Sequence, residues 1–230
     1  MTQEFQIDIP STLRDIKLSQ WQRYAYILEK NKDAKDTEFL DKKALEIFCN
    51  VDYKDINKLP FSAFGNVISH ISTLLNSKTD LVKTFTLRGT DDVEVEFGFI
   101  PNLDKMSYGE FEDLESYIFD EANTHKAMAV LYRPIKYKKG DRYLIEDYDG
   151  TDYLKEVMKD TPLDVVLGAK VFFYRLARKL GHYTMDSTLK QLQKEREANS
   201  ENHSEESGEL IKQYITSLKE MLKESERLLN

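Results

Sequence analysis

Apolar positions along this chain recur first at helical spacing, then at strand spacing, then at helical spacing again. Trp21, Tyr24, Ile27 and Leu28 share one face of a helix that Ser19 caps, and Leu40, Ala44, Ile47 and Phe48 share a face of a second that Thr37 caps. Pro60 opens a third, where Phe61, Phe64, Val67, Ile68, Ile71, Leu74 and Leu75 make a nearly unbroken stripe of period 3.6. Ahead of these, Phe5 to Ile9 alternates apolar and polar residues before Pro10, which predicts a short strand.

The period changes between Lys83 and Ile100. Phe85 and Leu87 alternate with threonines, residues 89 to 92 supply turn chemistry, and Val93, Val95, Phe97 and Phe99 alternate with Glu94, Glu96 and Gly98. This predicts a β-hairpin with one buried face, ended by Pro101, which has no N–H for a ladder. Ser107 and Glu110 then stand in the S-x-x-E spacing of a capping box, ahead of Phe111, Leu114 and Ile118. Asn123 and Thr124 are cap candidates for the apolar run Ala127 to Leu131, and Pro134 forces Arg133 out of the helical region. A second hairpin follows, with Ile135 and Tyr137 in one strand, Tyr143, Ile145 and Tyr148 in or near the other, and Lys138 to Asp141 turning between them.

Helical spacing returns after Thr161, which caps a helix starting at Pro162 and ending near Gly181, with Val165, Val166, Ala169, Phe172, Phe173, Leu176 and Leu180 facing inward. Residues 191 to 197 read as solvated helix and 199 to 208 as an acidic linker. From Leu210 to Leu229 apolar residues again recur at three and four. The fold class expected is α+β: a predominantly helical domain with two small β-hairpins over 1–182, a solvated helix and flexible acidic linker over 183–206, and an amphipathic C-terminal helix over 207–230.

Charge narrows the function. The net charge of −8 argues against a dedicated nucleic-acid binder, which needs clustered cations to neutralise phosphate. No run reaches the ~18 apolar residues of a membrane span. The single cysteine, Cys49, has no partner for an intrachain disulfide and reads as a small apolar core residue, which fits a reducing, cytosolic setting. The first fifteen residues lack the basic and apolar regions of a secretory signal.

Candidate chemistry is sparse. Glu110, Glu112, Asp113 and Glu115 form the densest acidic cluster, and a helix N-terminus favours acids through its dipole, so the cluster reads as a solvated face. Glu146 to Gly150 matches only a fragment of a calcium loop and reads as a turn. His70, His125, His182 and His203 share no metal-ligand spacing with each other or with Cys49. No catalytic, metal-binding or cofactor-binding residues are assigned, and no cofactor is expected. What remains are two binding candidates. The first is the basic segment holding Tyr132, Arg133, Lys136, Tyr137, Lys138, Lys139 and Arg142, where tyrosines interleave with cations and suit an acidic protein surface. The second is the apolar face of the C-terminal helix, Ile211, Tyr214, Ile215, Leu218 and Leu222, which folds back on its own domain, pairs with another copy or binds a partner helix.

The segments GFIPNLDKMSYGEFEDLESYI, HKAMAVLYRPI, YDGTDYLKEVMKDTPLD and GAKVFF together resemble a family of tailed-bacteriophage proteins of virion or tail morphogenesis, over about residues 95 to 180. The resemblance implies a non-enzymatic protein of the bacterial host cytoplasm that binds phage structural or tail proteins. It implies an assembly factor such as a tail-assembly chaperone or a minor component of the mature virion and does not decide between them; the function expected is an assembly chaperone, with the minor structural component and then an enzyme as alternatives. It carries no catalytic residues across.

Overall fold

A computed structural model describes residues 7–33, 37–88 and 93–175. The chain divides into two compact units, residues 1–170 and 171–230, and in the second only the helical residues 171–175 are described. The described residues form an α+β fold with seven α-helices and a four-stranded antiparallel sheet. The helices are α1 (Leu18–Lys30), α2 (Glu38–Phe48), α3 (Tyr53–Ile56), α4 (Phe61–Leu75), α5 (Tyr108–Tyr117), α6 (Thr124–Leu131) and α7, helical from residue 163 to 175. The strands are β1 (Thr84–Arg88), β2 (Glu94–Phe99), β3 (Tyr132–Lys139) and β4 (Arg142–Ile145), adjacent in that order.

The core is built around α6. Seven of its eight residues, all but Lys126, are buried, because Ala127, Met128, Ala129, Val130 and Leu131 leave no polar stripe to face water. It packs on α5 and on the 3₁₀ turn Val157–Asp160, and runs without a loop into β3. α1 packs on α2, and α2 on α3 and α4. Cys49 ends α2 at 1% exposure, as its core reading requires, and burial pushes its thiol up to about 11, so it is no nucleophile. Asn50 follows with φ 51°, the left-handed turn by which the chain leaves the helix.

Two expectations about helix entry fail for one reason. α1 begins at Leu18 after Lys17, with Ser19 already inside the helix. Lys17 is held extended by a β-bridge to Pro162, in which Leu18 N–H donates to Thr161 C=O at 2.9 Å and Leu163 N–H to Ile16 C=O at 2.8 Å. The bridge therefore sets the starts of both α1 and α7, overriding local capping preference and moving the first residue of α7 from Pro162 to Leu163. The strand expected over Phe5 to Ile9 is absent in its described part, since residues 7–10 are irregular. Phe61, placed on the apolar stripe, lies in the first turn of α4 and is 92% exposed, whereas Val67 and Ile71 of that stripe are buried. In α7, Val165, Val166 and Ala169 are fully buried as expected, and so is Leu163, whereas Phe172 and Phe173 are half-buried; Leu176, Leu180 and Gly181 lie outside the described residues.

The sheet carries both predicted hairpins. β1 and β2 pair with Phe85 opposite Phe97 and Leu87 opposite Val95, so one face is apolar; the turn between them lies outside the described residues. β2 ends at Phe99, one residue before Ile100 donates its N–H to Leu131 C=O. β3 joins β2 with Tyr132 opposite Phe99 and Pro134 opposite Phe97. Gly98 is needed on the other face: a Cβ there meets the Tyr143 ring at 2.5 Å and Ile135 at 3.0 Å. Gly98→Ala displaces the Tyr143 ring and lowers stability by about 1–3 kcal/mol, the cost of overpacking a filled site, measurable by urea denaturation.

Candidate docking surface

β3 starts in the interior and ends in solvent, and its sequence explains both. Tyr132 follows α6 directly and is fully buried, its ring edge-on to Phe85 and Phe99 with centroids 5.1 and 5.2 Å away. Its hydroxyl donates to Val82 C=O at 2.7 Å, and burial raises its pKa. Arg133, one residue on, points to the opposite face and is also buried. Its Nη1 donates to Glu110 Oε1 at 2.6 Å, with both side chains under 10% exposed, and its guanidinium lies 5.6 Å from the Tyr148 ring centroid.

That ion pair corrects two expectations. Glu110 does form the predicted capping box, taking the Ser107 N–H at 2.6 Å, but its other oxygen is spent on Arg133, so it is no part of a solvated acidic face. Burial by itself raises the Glu110 pKa; the Ser107 N–H and hydroxyl and the guanidinium outweigh it and hold the carboxyl below its usual value. Tyr132 and Arg133, in turn, are interior anchors and have no surface to offer a partner. Glu112 and Glu115 are exposed, and Asp113 accepts the Tyr148 hydroxyl, which burial and this carboxylate push up in pKa.

Beyond Pro134 the hairpin leaves the core. Ile135 pairs with Ile145, Tyr137 with Leu144, Lys138 with Tyr143 and Lys139 with Arg142, with a bulge that leaves Lys136 unopposed. The turn is only Gly140 and Asp141, tighter than expected, so Lys138 and Lys139 belong to β3. Gly140 takes φ 58° at the first central position, as a type II′ turn requires. Tyr143 ties the hairpin down by laying its ring over Gly98 and donating its hydroxyl to Phe99 C=O at 2.8 Å.

The far end presents a mixed surface. Tyr137 and Leu144, directly opposed, are 59% and 64% exposed and continue the apolar face of the sheet past the point where the core stops. Four cations surround them. Lys136 pairs with Asp147 at 3.1 Å and Lys138 with Glu96, so half of the basic charge is already compensated, while Lys139 and Arg142 stand exposed at the turn. Leu144 carries no charge or aromatic ring and was no candidate by sequence; only its pairing with Tyr137 reveals it. Ile211, Tyr214, Ile215, Leu218 and Leu222 lie outside the described residues.

Of the four histidines, His182 and His203 lie outside the described residues, and the other two are held within the fold. His125 is buried, with Nδ1 3.1 Å from Gln22 Nε2, and burial followed by nearby Lys159 lowers its pKa. His70 Nε2 sits 2.9 Å from Pro10 O. Among the described residues no group of three His, Cys, Asp or Glu is arranged to hold a metal ion. No helix among them is long and apolar enough to cross a membrane. A groove of about 450 Å³ lies beside Arg14, Lys78 and Thr79, where the Arg14 guanidinium pairs with Asp164 at 2.9 Å. No family model, curated protein or solved structure matches this chain.

Proposed function

We propose that this chain is a non-enzymatic binding protein that docks on protein partners through the outer end of the β3–β4 hairpin. One observation carries the reading: an exposed, directly opposed tyrosine and leucine stand on a hairpin whose root is fixed by Tyr132, Arg133 and Tyr143. A rigid root means little ordering cost on binding, and an exposed tyrosine buries area at low entropic cost. Lys139 and Arg142 at the rim favour acidic partners and add to encounter rate more than to affinity.

Phage morphogenesis is the setting we assign, on the resemblance of residues 95 to 180, with the phage's structural or tail proteins as partners in the host cytoplasm. An assembly chaperone leaves its client before the particle matures, whereas a minor structural component stays. Mass spectrometry of purified virions separates them: a chaperone is missing from mature particles and a component is found at fixed stoichiometry. For the surface itself, Tyr137→Ser with Leu144→Ser weakens partner binding at least about tenfold in a titration, the loss expected for a truncated aromatic anchor. The melting temperature is expected to hold, because both side chains are exposed. Unchanged binding would sink the reading.

A further inference from the structure

The outer side of β4 is an open sheet edge, since β4 is terminal in the strand order and no strand lies beyond it among the described residues. Glu146 N–H turns inward to Pro134 C=O at 2.9 Å, and Arg142 faces Lys139 across the two-residue turn. Inward and outward residues alternate in an antiparallel ladder, so Tyr143 and Ile145 turn their N–H and C=O groups outward. Proteins guard such an edge with proline, inward charge or a bulge. β4 has no proline, inward charge or bulge of its own, though it is only four residues long and carries Arg142; the bulge is on β3.

The run Arg142, Tyr143, Leu144, Ile145, Glu146 is complementary to itself read backwards. Laid antiparallel on a second copy with Leu144 opposite Leu144, the outward residues meet as two hydrogen-bonded pairs, Tyr143 with Ile145 and Ile145 with Tyr143. The same register sets Arg142 opposite Glu146 at both ends. Arg142, Leu144 and Glu146 share the face that carries Tyr137, so two leucines and two tyrosines close over one another between two opposite-charge pairs. A slip of two residues either way sets Leu144 against Arg142 or against Glu146. Only the one register satisfies the backbone, the apolar pair and the charges together.

We propose that a second copy of this chain docks on β4 in that register, joining two four-stranded sheets into one of eight about a two-fold axis. The inference rests on the reading of the hairpin as a docking surface and adds a second copy to the partners it takes. An isologous contact closes on itself, so the product is a dimer and not a filament.

Sedimentation equilibrium of the full chain over about 1–100 μM tests it, the range in which a small interface of this kind dissociates. The expected result is a reversible monomer–dimer equilibrium. Leu144→Lys sets two like charges face to face and weakens the dimer at least about tenfold; Arg142→Glu or Glu146→Arg each weaken it several-fold; the double variant Arg142→Glu/Glu146→Arg restores it. Circular dichroism checks that every variant is folded. A monomer throughout, a dimer indifferent to Leu144→Lys, or a double variant no better than the singles overturns the proposal. Glu146→Arg, which keeps Tyr137, Leu144, Lys139 and Arg142, separates this inference from the broader reading: a monomer that still binds the virion or tail partner upholds docking by the hairpin whatever the fate of the dimer.

Discussion

Replacing Arg133 with methionine lowers folding stability by about 3–5 kcal/mol, measured by urea denaturation with the slope unchanged. The cost comes from what is left behind. Glu110 remains buried on α5, keeps the Ser107 N–H, and loses the cation it is paired with. A buried carboxylate without its partner either retains an uncompensated charge or takes up a proton, and both are unfavourable. The double variant Glu110→Gln/Arg133→Met recovers a large part of the loss, because replacing both members of a buried pair removes the orphaned charge.

The same pair sets a pH dependence. The folded-state pKa of Glu110 is depressed below its usual 4.5, so the folded form binds fewer protons than the unfolded form in the acid range. Its contribution is therefore complete above about pH 4.5 and is lost as pH falls through the lowered value. Stability plotted against pH between 5 and 3, values on the order of the carboxylate range, is expected to fall less steeply in the double variant than in the natural chain. Equal slopes would place the acid sensitivity elsewhere.

Local signals in the sequence were sufficient at several places where structure is local. The capping box at Ser107, the alternation through Phe85 and Phe97, and the breaking of helix α6 ahead of Pro134 all act within a few residues, and all are found. Apart from the strand expected over Phe5 to Ile9 and the tighter turn at Gly140 and Asp141, what failed depended on residues far apart in the chain. Lys17 starts α1 because Pro162 bridges it, and no capping preference near Ser19 reports that. Arg133 and Glu110 are 23 residues apart and each looked like part of a surface, one basic and one acidic; their charges are buried because they face each other. The hairpin surface was half legible for the same reason. The tyrosines and cations of 132 to 142 mark it, but which of them face inward follows from α6 feeding straight into β3, and Leu144 joins only through cross-strand register.

Tyr132→Ala is expected to cost about 3–5 kcal/mol, the usual range for truncating a large buried aromatic, and to loosen the hairpin as well as the core. The ring fills the space between Phe85 and Phe99, so its loss opens a cavity that three strands share. Tyr132→Phe separates packing from hydrogen bonding: it keeps the ring, leaves Val82 C=O without its donor, and costs about 1–3 kcal/mol. Hydrogen exchange reads the consequence for function. Because Tyr132 is the residue at which β3 emerges from α6, the alanine variant speeds exchange of the β3 and β4 amides as far as Leu144, whereas the phenylalanine variant affects the β1 end of the sheet more than the hairpin tip. If the tip kept its protection in Tyr132→Ala, the hairpin would be held by Tyr143 and Arg133 alone, and the rigid root invoked for docking would not need the core.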